Sequence, residues 1–319
     1  VSGFHTNSLQ ATIEYSNTPP ISMEAHLTGL FAYPYGCLEQ TSSRAWPLLD
    51  TRLINNIPNL ALNKRSKEVL SQKDKHIDAA IQRVSGMQRS DGSFGLWSNR
   101  SNETQWLTVY ALDFLITAKN AGYSVPETVL MQGIGRIQWY VKNTRSSYSE
   151  RLHYSQEPKH YAIAFRAYAA YLLSKLNKIS LVTVKQLNNQ LGKSSKSPLP
   201  FAHLAVAFNN LGDAKSSKRL WKKALEFKKY SLNYAGDYGS QLRDLTWTML
   251  LAQESKQQLN YQSLLFSIDE ALLSKQWFST QERIMLYRLA SSFNSETSKA
   301  WKLKVTSKNE ADARVLSSD

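Results

Sequence analysis

Apolar residues recur with helical spacing over most of the chain. In residues 161–172, aromatic and aliphatic side chains return every three or four positions, which places them on one face of an α-helix. Segments that are apolar nearly all round, such as 106–118, alternate with more polar segments, such as 126–143, as inner and outer helices do. The same spacing predicts further helices over residues 23–31, 38–57, 74–89, 181–191, 204–211, 214–229, 240–255, 261–274 and 280–293. Pro47 should kink or break the second of these.

The two ends of the chain follow a different period. Residues 8–15 and 301–305 alternate apolar and polar side chains, as half-buried β-strands do. We therefore predict an all-α body in residues 20–295, between a flanking strand in 1–19 and an exit strand and linker in 296–319, both belonging to an adjoining β-domain. The alternation of inner and outer helices favours a closed α/α toroid of helical hairpins. An open solenoid is the rival, but no fixed repeat length persists.

The composition is that of a globular protein with an excess of basic residues. The 319 residues are 42% hydrophobic and contain no run of 18 apolar residues, which predicts one large core and no membrane span. The net charge is +14, and the densest basic run is 215–229. Within it, residues 215, 218, 219, 222 and 223 fall broadly on one side of a predicted helix. A solvated helix face is the simplest interpretation. Contact with an acidic neighbouring domain or a phospholipid headgroup layer is the alternative, and no nucleic-acid motif supports a nucleic-acid partner.

The candidate chemistry lies at the only cysteine, Cys37. Gln40 follows three residues later, and on a helical or turn-like backbone residues at i and i+3 face the same side. A thiol beside a carboxamide suggests attack by sulfur, loss of ammonia and an internal thioester that joins Cys37 to Gln40. Such a bond stores an acyl group for a later nucleophile.

The neighbouring residues suit this chemistry. Tyr33 and Tyr35 can pack over the bond and keep water away from it, each burial being worth about 1.5–3 kcal/mol. Gly36 allows the backbone to turn tightly before the cysteine. Glu39 is expected to cap or orient the turn, although as a solvated carboxylate it would need no explanation. The octapeptide 33–40 therefore contains a reactive pair and a cover for it.

This octapeptide, Tyr33-Pro34-Tyr35-Gly36-Cys37-Leu38-Glu39-Gln40, resembles the thioester domain of the bacterial alpha-2-macroglobulins. Animal relatives carry Gly-Cys-Gly-Glu-Gln, and Leu38 in place of the second glycine is similar to the bacterial branch. Further matching runs are 91–97, 106–115 and 279–283, so the resemblance covers most of the chain.

The resemblance implies an α/α toroid inserted in a β-sandwich of a longer protein, and it implies an activity. Once a protease cuts the parent elsewhere, a lysine of that protease takes the Gln40 acyl group. Each molecule reacts once, so the parent would be a covalent protease inhibitor and not an enzyme, with no cofactor. Its partners would be target proteases and other domains of the same chain. The implied setting is the bacterial periplasm, with the parent a lipoprotein held on the inner membrane by a lipid anchor outside this chain.

The residues also allow other interpretations. Cys37 could serve a Cys-His acyltransferase or hydrolase, or be incidental to a helical scaffold. His153 occupies a region comparable with the histidine that catalyses acyl transfer to hydroxyls in some complement proteins, and without such a base direct attack by an amine is expected. Asp91 and Glu103 could be paired glycosidase carboxylates, although Asp91 stands in a glycine-rich turn. The six histidines lack the spacing of metal ligands, so no metal is predicted.

Overall fold

The computed structural model describes most of the predicted helical body. The described residues are 21–32, 36–50, 62–144, 157–227, 236–256, 262–294, 302–305 and 314–317. The flanking strand predicted over 8–15 lies outside them.

Thirteen α-helices and two strands make up the described part of the chain. The helices are α1 (Met23–Ala32), α2 (Leu38–Ala45), α3 (Lys64–Ser71), α4 (Lys73–Gly86), α5 (Gln105–Asn120), α6 (Glu127–Lys142), α7 (Pro158–Lys175), α8 (Leu181–Leu191), α9 (Leu199–Asn210), α10 (Ala214–Leu225), α11 (Gln241–Glu254), α12 (Gln262–Leu273) and α13 (Thr280–Asn294). Short 3-10 turns follow α2 (Trp46–Leu49) and α8 (Gly192–Ser194). The strands are β1 (Lys302–Val305) and β2 (Arg314–Ser317), which pair antiparallel.

The helices predicted from periodicity are present, with two differences. The long segment 38–57 is broken: α2 ends at Ala45, and Pro47 lies in the 3-10 turn that follows, because proline has no N–H to continue the helical ladder. Helix α3 was not predicted, since its eight residues include only two apolar ones, Val69 and Leu70. Strand β1 coincides with the predicted exit strand, and its place in an adjoining β-domain stays a prediction. Within the described residues, no helix has both the length and the apolar character needed to cross a bilayer.

Six of the described helices contact one another in a closed order. α2 contacts α5, and the contacts continue through α7, α9, α11 and α13 back to α2. The other helices pack outside this ring: α4 against α2, α6 against α5, α8 against α7, α10 against α9, α12 against α11 and α1 against α13. Helix α3 contacts α1 and α4. Apart from α3 and α4, which are two consecutive outer helices, buried and half-exposed helices alternate along the chain, as the periodicity predicted.

The N-terminal ends of the inner helices meet at one end of the ring. Thr280, the first residue of α13, donates to Glu39 in the first turn of α2 at 2.7 Å. Ser240, the N-cap of α11, donates to Glu282 in the first turn of α13 at 2.5 Å. Tyr161, near the start of α7, donates to Gln105, the first residue of α5, at 2.9 Å. Cys37, which precedes α2, therefore lies at this same end, which we call the Cys37 end.

Aromatic side chains fill the interior of the ring. The ring centroid of Trp106 in α5 lies 5.3 Å from that of Tyr110, 5.9 Å from that of Tyr168 in α7 and 6.3 Å from that of Trp247 in α11. All four side chains are buried. Burying a large apolar side chain contributes about 1.5–3 kcal/mol, so this apolar interior is what holds the inner helices together beneath the Cys37 end.

Candidate thioester site

Cys37 is the N-cap residue of α2. Its backbone is extended, with φ −67° and ψ 170°, and the helix begins at Leu38. Cys37 and Gln40 contact each other reciprocally: the Cys37 side chain accepts the backbone N–H of Gln40, and Oε1 of Gln40 accepts the backbone N–H of Cys37 at 3.4 Å. This is a capping box in which sulfur takes the position of the usual hydroxyl. The two side chains that the sequence pairs therefore lie on the same side of the first turn.

Burial controls the ionisation of Cys37. The residue is 5% exposed, and this burial raises the pKa of its thiol. The backbone N–H of Gln40 opposes the increase, because it stabilises negative charge on sulfur. The resting side chain is a protonated thiol at neutral pH. A helix N-terminus also favours a thiolate, which is the form that sulfur takes when it leaves an opened thioester.

Two contacts from other parts of the chain hold the backbone on either side of Cys37. Arg83 of α4 donates from Nε to the Gly36 carbonyl at 2.8 Å, and the N–H of Leu38 donates to the Leu96 carbonyl at 2.8 Å. Leu38 itself is fully buried. Gly36 was predicted to permit a tight turn, but its φ is not in the left-handed region. Glycine fits here because Arg83 approaches closely: a Cβ would lie 3.2 Å from Nε.

Glu39 points into the protein. It is 3% exposed, so the interpretation of this residue as a solvated charge was wrong. Its Oε1 atom accepts hydrogen bonds from Ser43 at 2.7 Å and from Gln281 at 2.9 Å, and Oε2 accepts from Thr280 at 2.7 Å. Burial raises the pKa of the Glu39 carboxyl, although these three donors act against the increase. Glu39 therefore orients the turn by joining the first turn of α2 to the start of α13.

A further hydrogen bond joins α2 to α5. Ser43 Oγ lies 2.9 Å from the hydroxyl of Tyr110, and Nε2 of Gln281 donates to the same Ser43 Oγ at 3.2 Å. Tyr110 is fully buried, and burial together with the nearby Glu39 raises the pKa of its hydroxyl. A protonated phenol thus completes a network that ties α2 to both of its neighbours in the ring.

The glycine-rich turn at 91–97 carries the Leu96 carbonyl that contacts α2. Asp91 accepts the N–H of Ser93 at 3.0 Å and the hydroxyl of Ser93 at 2.6 Å. Gly92 adopts φ +82°, the left-handed conformation in which glycine is favoured. The turn interpretation of Asp91 agrees with these contacts.

Asp91 and Glu103 do not form a free pair of carboxylates. Arg136 donates to both oxygens of Glu103, at 2.8 and 2.7 Å, and also lies 3.4 Å from Asp91. Tyr140 donates a further hydrogen bond to Glu103. Both carboxylates are engaged in holding the turn and the start of α5, so the structure gives the glycosidase interpretation no support.

A pocket of about 200 Å³ lies beside α2, between α1 and α4. Its lining combines apolar side chains with Arg44, His76 and Arg83. Burial, followed by the nearby charge of Arg44, lowers the pKa of His76, so this histidine is neutral at pH 7. The surface next to the candidate thioester is therefore positively charged through its two arginines.

The structure brings together most of the residues predicted for the site. Cys37 and Gln40 face each other, while Gly36, Leu38 and Glu39 anchor the turn that holds them. The other predicted residues, Tyr33, Tyr35 and His153, lie outside the described residues. Within the described ranges, no histidine forms a hydrogen bond with Cys37, and no three histidine, cysteine or acidic side chains converge as metal ligands would.

Sequence reasoning did not identify the partners that hold the turn. Arg83, Leu96, Tyr110, Thr280 and Gln281 are all contributed by segments distant from Cys37 along the chain. Four of the five fall in runs that already resembled the family, so those runs were the available signal. What the sequence lacked was any indication that they meet around one short helix.

Comparison with known proteins gives a consistent result. The family model described as the A-macroglobulin TED domain matches residues 12–147. The alpha-2-macroglobulin of Escherichia coli (strain K12) is 32% identical over 290 residues, a match that takes in 90% of this chain and 17% of that protein. The chain therefore spans about a sixth of that relative's length.

Solved structures agree with this match. Native E. coli alpha-2-macroglobulin, spanning domain MG7 to the C-terminus, superposes with a TM-score of 0.81 at 29% identity, over 94% of this chain and 46% of that one. Salmonella alpha-2-macroglobulin reacted with methylamine superposes with a TM-score of 0.81 at 33% identity, over 94% of this chain and 19% of that one.

The helical ring and the cysteine turn at its end define a domain of the alpha-macroglobulin class. Within that class, the chain belongs to the thioester domains of the bacterial alpha-2-macroglobulins.

Proposed function

We propose that Cys37 and Gln40 form an internal thioester through which the longer protein traps proteases covalently. The observation that carries this proposal is the reciprocal contact between the two residues at the N-terminus of α2. In forming the bond, the Cys37 sulfur attacks the side-chain carbonyl carbon of Gln40. The carbon–nitrogen bond breaks, and the amide nitrogen leaves as ammonia together with the thiol proton.

Transfer to a target follows by displacement of the sulfur. A lysine amine of the attacking protease forms an amide bond with the Gln40 acyl carbon, and the carbon–sulfur bond breaks. The proton lost by the amine ends on Cys37 as a free thiol. Because the acyl group is consumed, each molecule reacts once, which makes the protein an inhibitor rather than an enzyme. Membership of the alpha-2-macroglobulin family supports this role.

The wider setting is part of the same proposal. We infer that the closed ring of helices is the α/α toroid of the family and that the strands at its C-terminal side belong to an adjoining β-domain. Tyr33 and Tyr35 cover the thioester, with other domains of the parent, until cleavage elsewhere exposes it. An amine attacks the thioester directly, without a catalytic base. If the acyl group is also transferred to hydroxyls, His153 is the candidate catalyst of that transfer. The parent acts in the bacterial periplasm as a lipoprotein held at the inner membrane.

Intact mass spectrometry tests the thioester directly. Fresh protein should weigh one ammonia less than its sequence requires, and methylamine should add one methylamine at Gln40 while one thiol appears. The structure of the Salmonella relative is that of a protein reacted with methylamine. If water has opened the bond before the measurement, peptide mapping should find glutamate at position 40.

Two variants serve as controls. Cys37→Ala should keep an unmodified glutamine at position 40, and Gln40→Glu should keep a free thiol and ignore methylamine. An unmodified Gln40 in fresh wild-type protein, unreactive towards methylamine, would overturn the proposal. Repeated turnover of a small amide or ester that depends on Cys37 would instead indicate an acyltransferase or hydrolase.

A further inference from the structure

One outer wall of the ring is strongly basic. Helix α10 buries Leu220, Trp221 and Ala224 against the ring, and its opposite side is exposed. We call its five exposed cations the basic face: Lys215, Lys218, Arg219, Lys222 and Lys223.

The basic face lies on the far side of the ring from Cys37. Helix α10 packs on α9, and α9 is three contacts away from α2 in both directions, through α5 and α7 or through α13 and α11. In a closed ring of six, this is the opposite position. A surface that binds the basic face therefore leaves α2 on the side turned away from it.

The stability of α10 does not explain these charges. Cations in a last turn complement the helix dipole, which accounts for Lys222 and Lys223. Lys215 lies in the first turn, where a cation is unfavourable, and it repels Lys218 and Arg219, which follow it at spacings of three and four. None of these three cations therefore stabilises α10.

Nearby acids leave the face positive. Asp213, the N-cap of α10, accepts the N–H of Ser216 at 3.0 Å and pairs with Lys185 of α8 at 3.1 Å. Glu226 lies 3.8 Å from Lys222, and both side chains are largely exposed. Such exposed pairs contribute little. The acidic groups beside α10 are therefore either occupied elsewhere or too loosely held to neutralise the face.

The chemistry of the face identifies its partner. Protein interfaces are depleted in lysine and built around aromatic or apolar anchors. Four of the five cations here are lysines, and α10 has no exposed large apolar side chain. A flat array of lysines without an anchor suits a diffuse layer of phosphates. We propose that the basic face binds the headgroups of an anionic phospholipid surface. This proposal does not depend on the thioester.

Vesicle binding tests the proposal. The full chain should co-sediment with vesicles of phosphatidylglycerol and phosphatidylcholine at low salt, and not with phosphatidylcholine alone. Binding should disappear at about 1 M salt, where the Debye length is about 3 Å. Each cation near such a surface contributes about fivefold in affinity, and a reversed charge also repels the surface, so reversing three of them should weaken binding by at least about a hundredfold. The test variant carries Lys215→Glu, Lys218→Glu and Arg219→Glu.

A matched control separates position from net charge. Helix α3 contacts α1 and α4, on the Cys37 side of the ring, and also carries exposed cations in its first turn. Reversing three of them makes the same change in net charge. An acid in the first turn of either helix suits the helix dipole, and acids at positions 218 and 219 would precede Lys222 and Lys223 by four residues, a favourable spacing. Thermal unfolding should therefore confirm that both variants fold. The control variant carries Lys64→Glu, Arg65→Glu and Lys67→Glu.

The outcomes are distinct. Loss of binding in the α10 variant alone supports the proposal. Equal loss in both variants, or no binding of wild type to anionic vesicles, overturns it. A short DNA duplex that competes better than vesicles of equal phosphate concentration, through the same three residues, would assign the face to nucleic acid instead. Methylamine incorporation should be unchanged in both variants, so failure here and failure of the thioester proposal are separable.

Discussion

Helices α2 and α7 are both inner helices of the ring, but different interactions hold them. Helix α7 is 18 residues long, and its residues 160–174 are all buried, most of them apolar. Helix α2 has eight residues, of which only Leu38 and Ala45 are apolar. Its first turn is held by polar contacts from α4, the 91–97 turn and α13. Helix α7 therefore contributes mainly to stability, whereas α2 contributes mainly the geometry of the Cys37 turn.

Apolar packing tolerates small displacements, whereas a thioester requires two atoms at bonding distance. Hydrogen bonds are directional, so contacts from three separate elements fix the Cys37 turn in position and in orientation. We therefore expect substitutions in α7 to change the free energy of unfolding, and substitutions around α2 to change the lifetime of the thioester.

Phe165→Ala should give the largest effect on stability. Phe165 is 1% exposed and packs against Tyr140 and Tyr161, with centroid distances of 5.2 and 5.3 Å. Removing a buried phenylalanine lowers the free energy of unfolding by about 3–5 kcal/mol. Denaturant unfolding should show this loss, while methylamine incorporation by the folded protein stays unchanged. Lys159→Ala, at an exposed position of the same helix, is the control and should change stability by less than about 0.5 kcal/mol.

Glu39→Ala should give a smaller loss of stability and a larger effect on chemistry. It removes the carboxylate that accepts from Ser43, Thr280 and Gln281, which costs about 1–3 kcal/mol. The turn then loses its link to α13, and Gln40 should convert to glutamate faster in the absence of amine. Peptide mapping over time measures this rate.

Glu39→Gln is the matched control, because it keeps the shape and one acceptor oxygen. Glu39→Gln should preserve most of the stability, and Gln40 should convert to glutamate as slowly as in wild type. Equal acceleration in both variants would show that the negative charge, and not the link to α13, protects the thioester.

The sequence predicted α7 and the Cys37–Gln40 pair, but not the surroundings of that pair. Periodicity is a local signal, so a long amphipathic pattern such as 161–172 reveals its helix directly. The i, i+3 relation of Cys37 and Gln40 is equally local. The contact between Glu39 and Thr280 joins positions far apart in the chain, and it exists only because the ring closes at α13. A carboxylate next to a reactive cysteine gives no indication by itself that it is buried.

The pH dependence of stability should distinguish wild type from Glu39→Gln. Burial raises the pKa of the Glu39 carboxyl in the folded protein, so the folded state holds this proton more tightly than the unfolded chain does. Glu39 therefore contributes most at low pH, and its contribution is lost as the pH rises from about 4 through the raised folded pKa. As the pH rises through this range, the free energy of unfolding of Glu39→Gln should increase relative to that of wild type. A difference that moves in the opposite direction would mean that the folded protein stabilises the carboxylate.

Gly36→Ala should give the smallest effect, and its sign depends on Arg83. The added Cβ would lie 3.2 Å from Nε of Arg83 and 3.3 Å from Nη2, at the end of a flexible side chain. If that side chain is displaced, its hydrogen bond to the Gly36 carbonyl is lost, which lowers the free energy of unfolding by up to about 1 kcal/mol. Replacing glycine by alanine where φ permits it raises the free energy of unfolding by about 0.4–1 kcal/mol, because alanine restricts the unfolded chain.

A double-mutant cycle with Arg83→Ala decides between these contributions. If the close approach of Arg83 is the reason for glycine at position 36, Gly36→Ala should raise the free energy of unfolding in the Arg83→Ala background. In the wild-type background it should leave that free energy unchanged or lower it. Equal destabilisation in both backgrounds would return Gly36 to the role that the sequence predicted, a tight turn that only glycine can make. The short helix would then depend on its own backbone as well as on its neighbours.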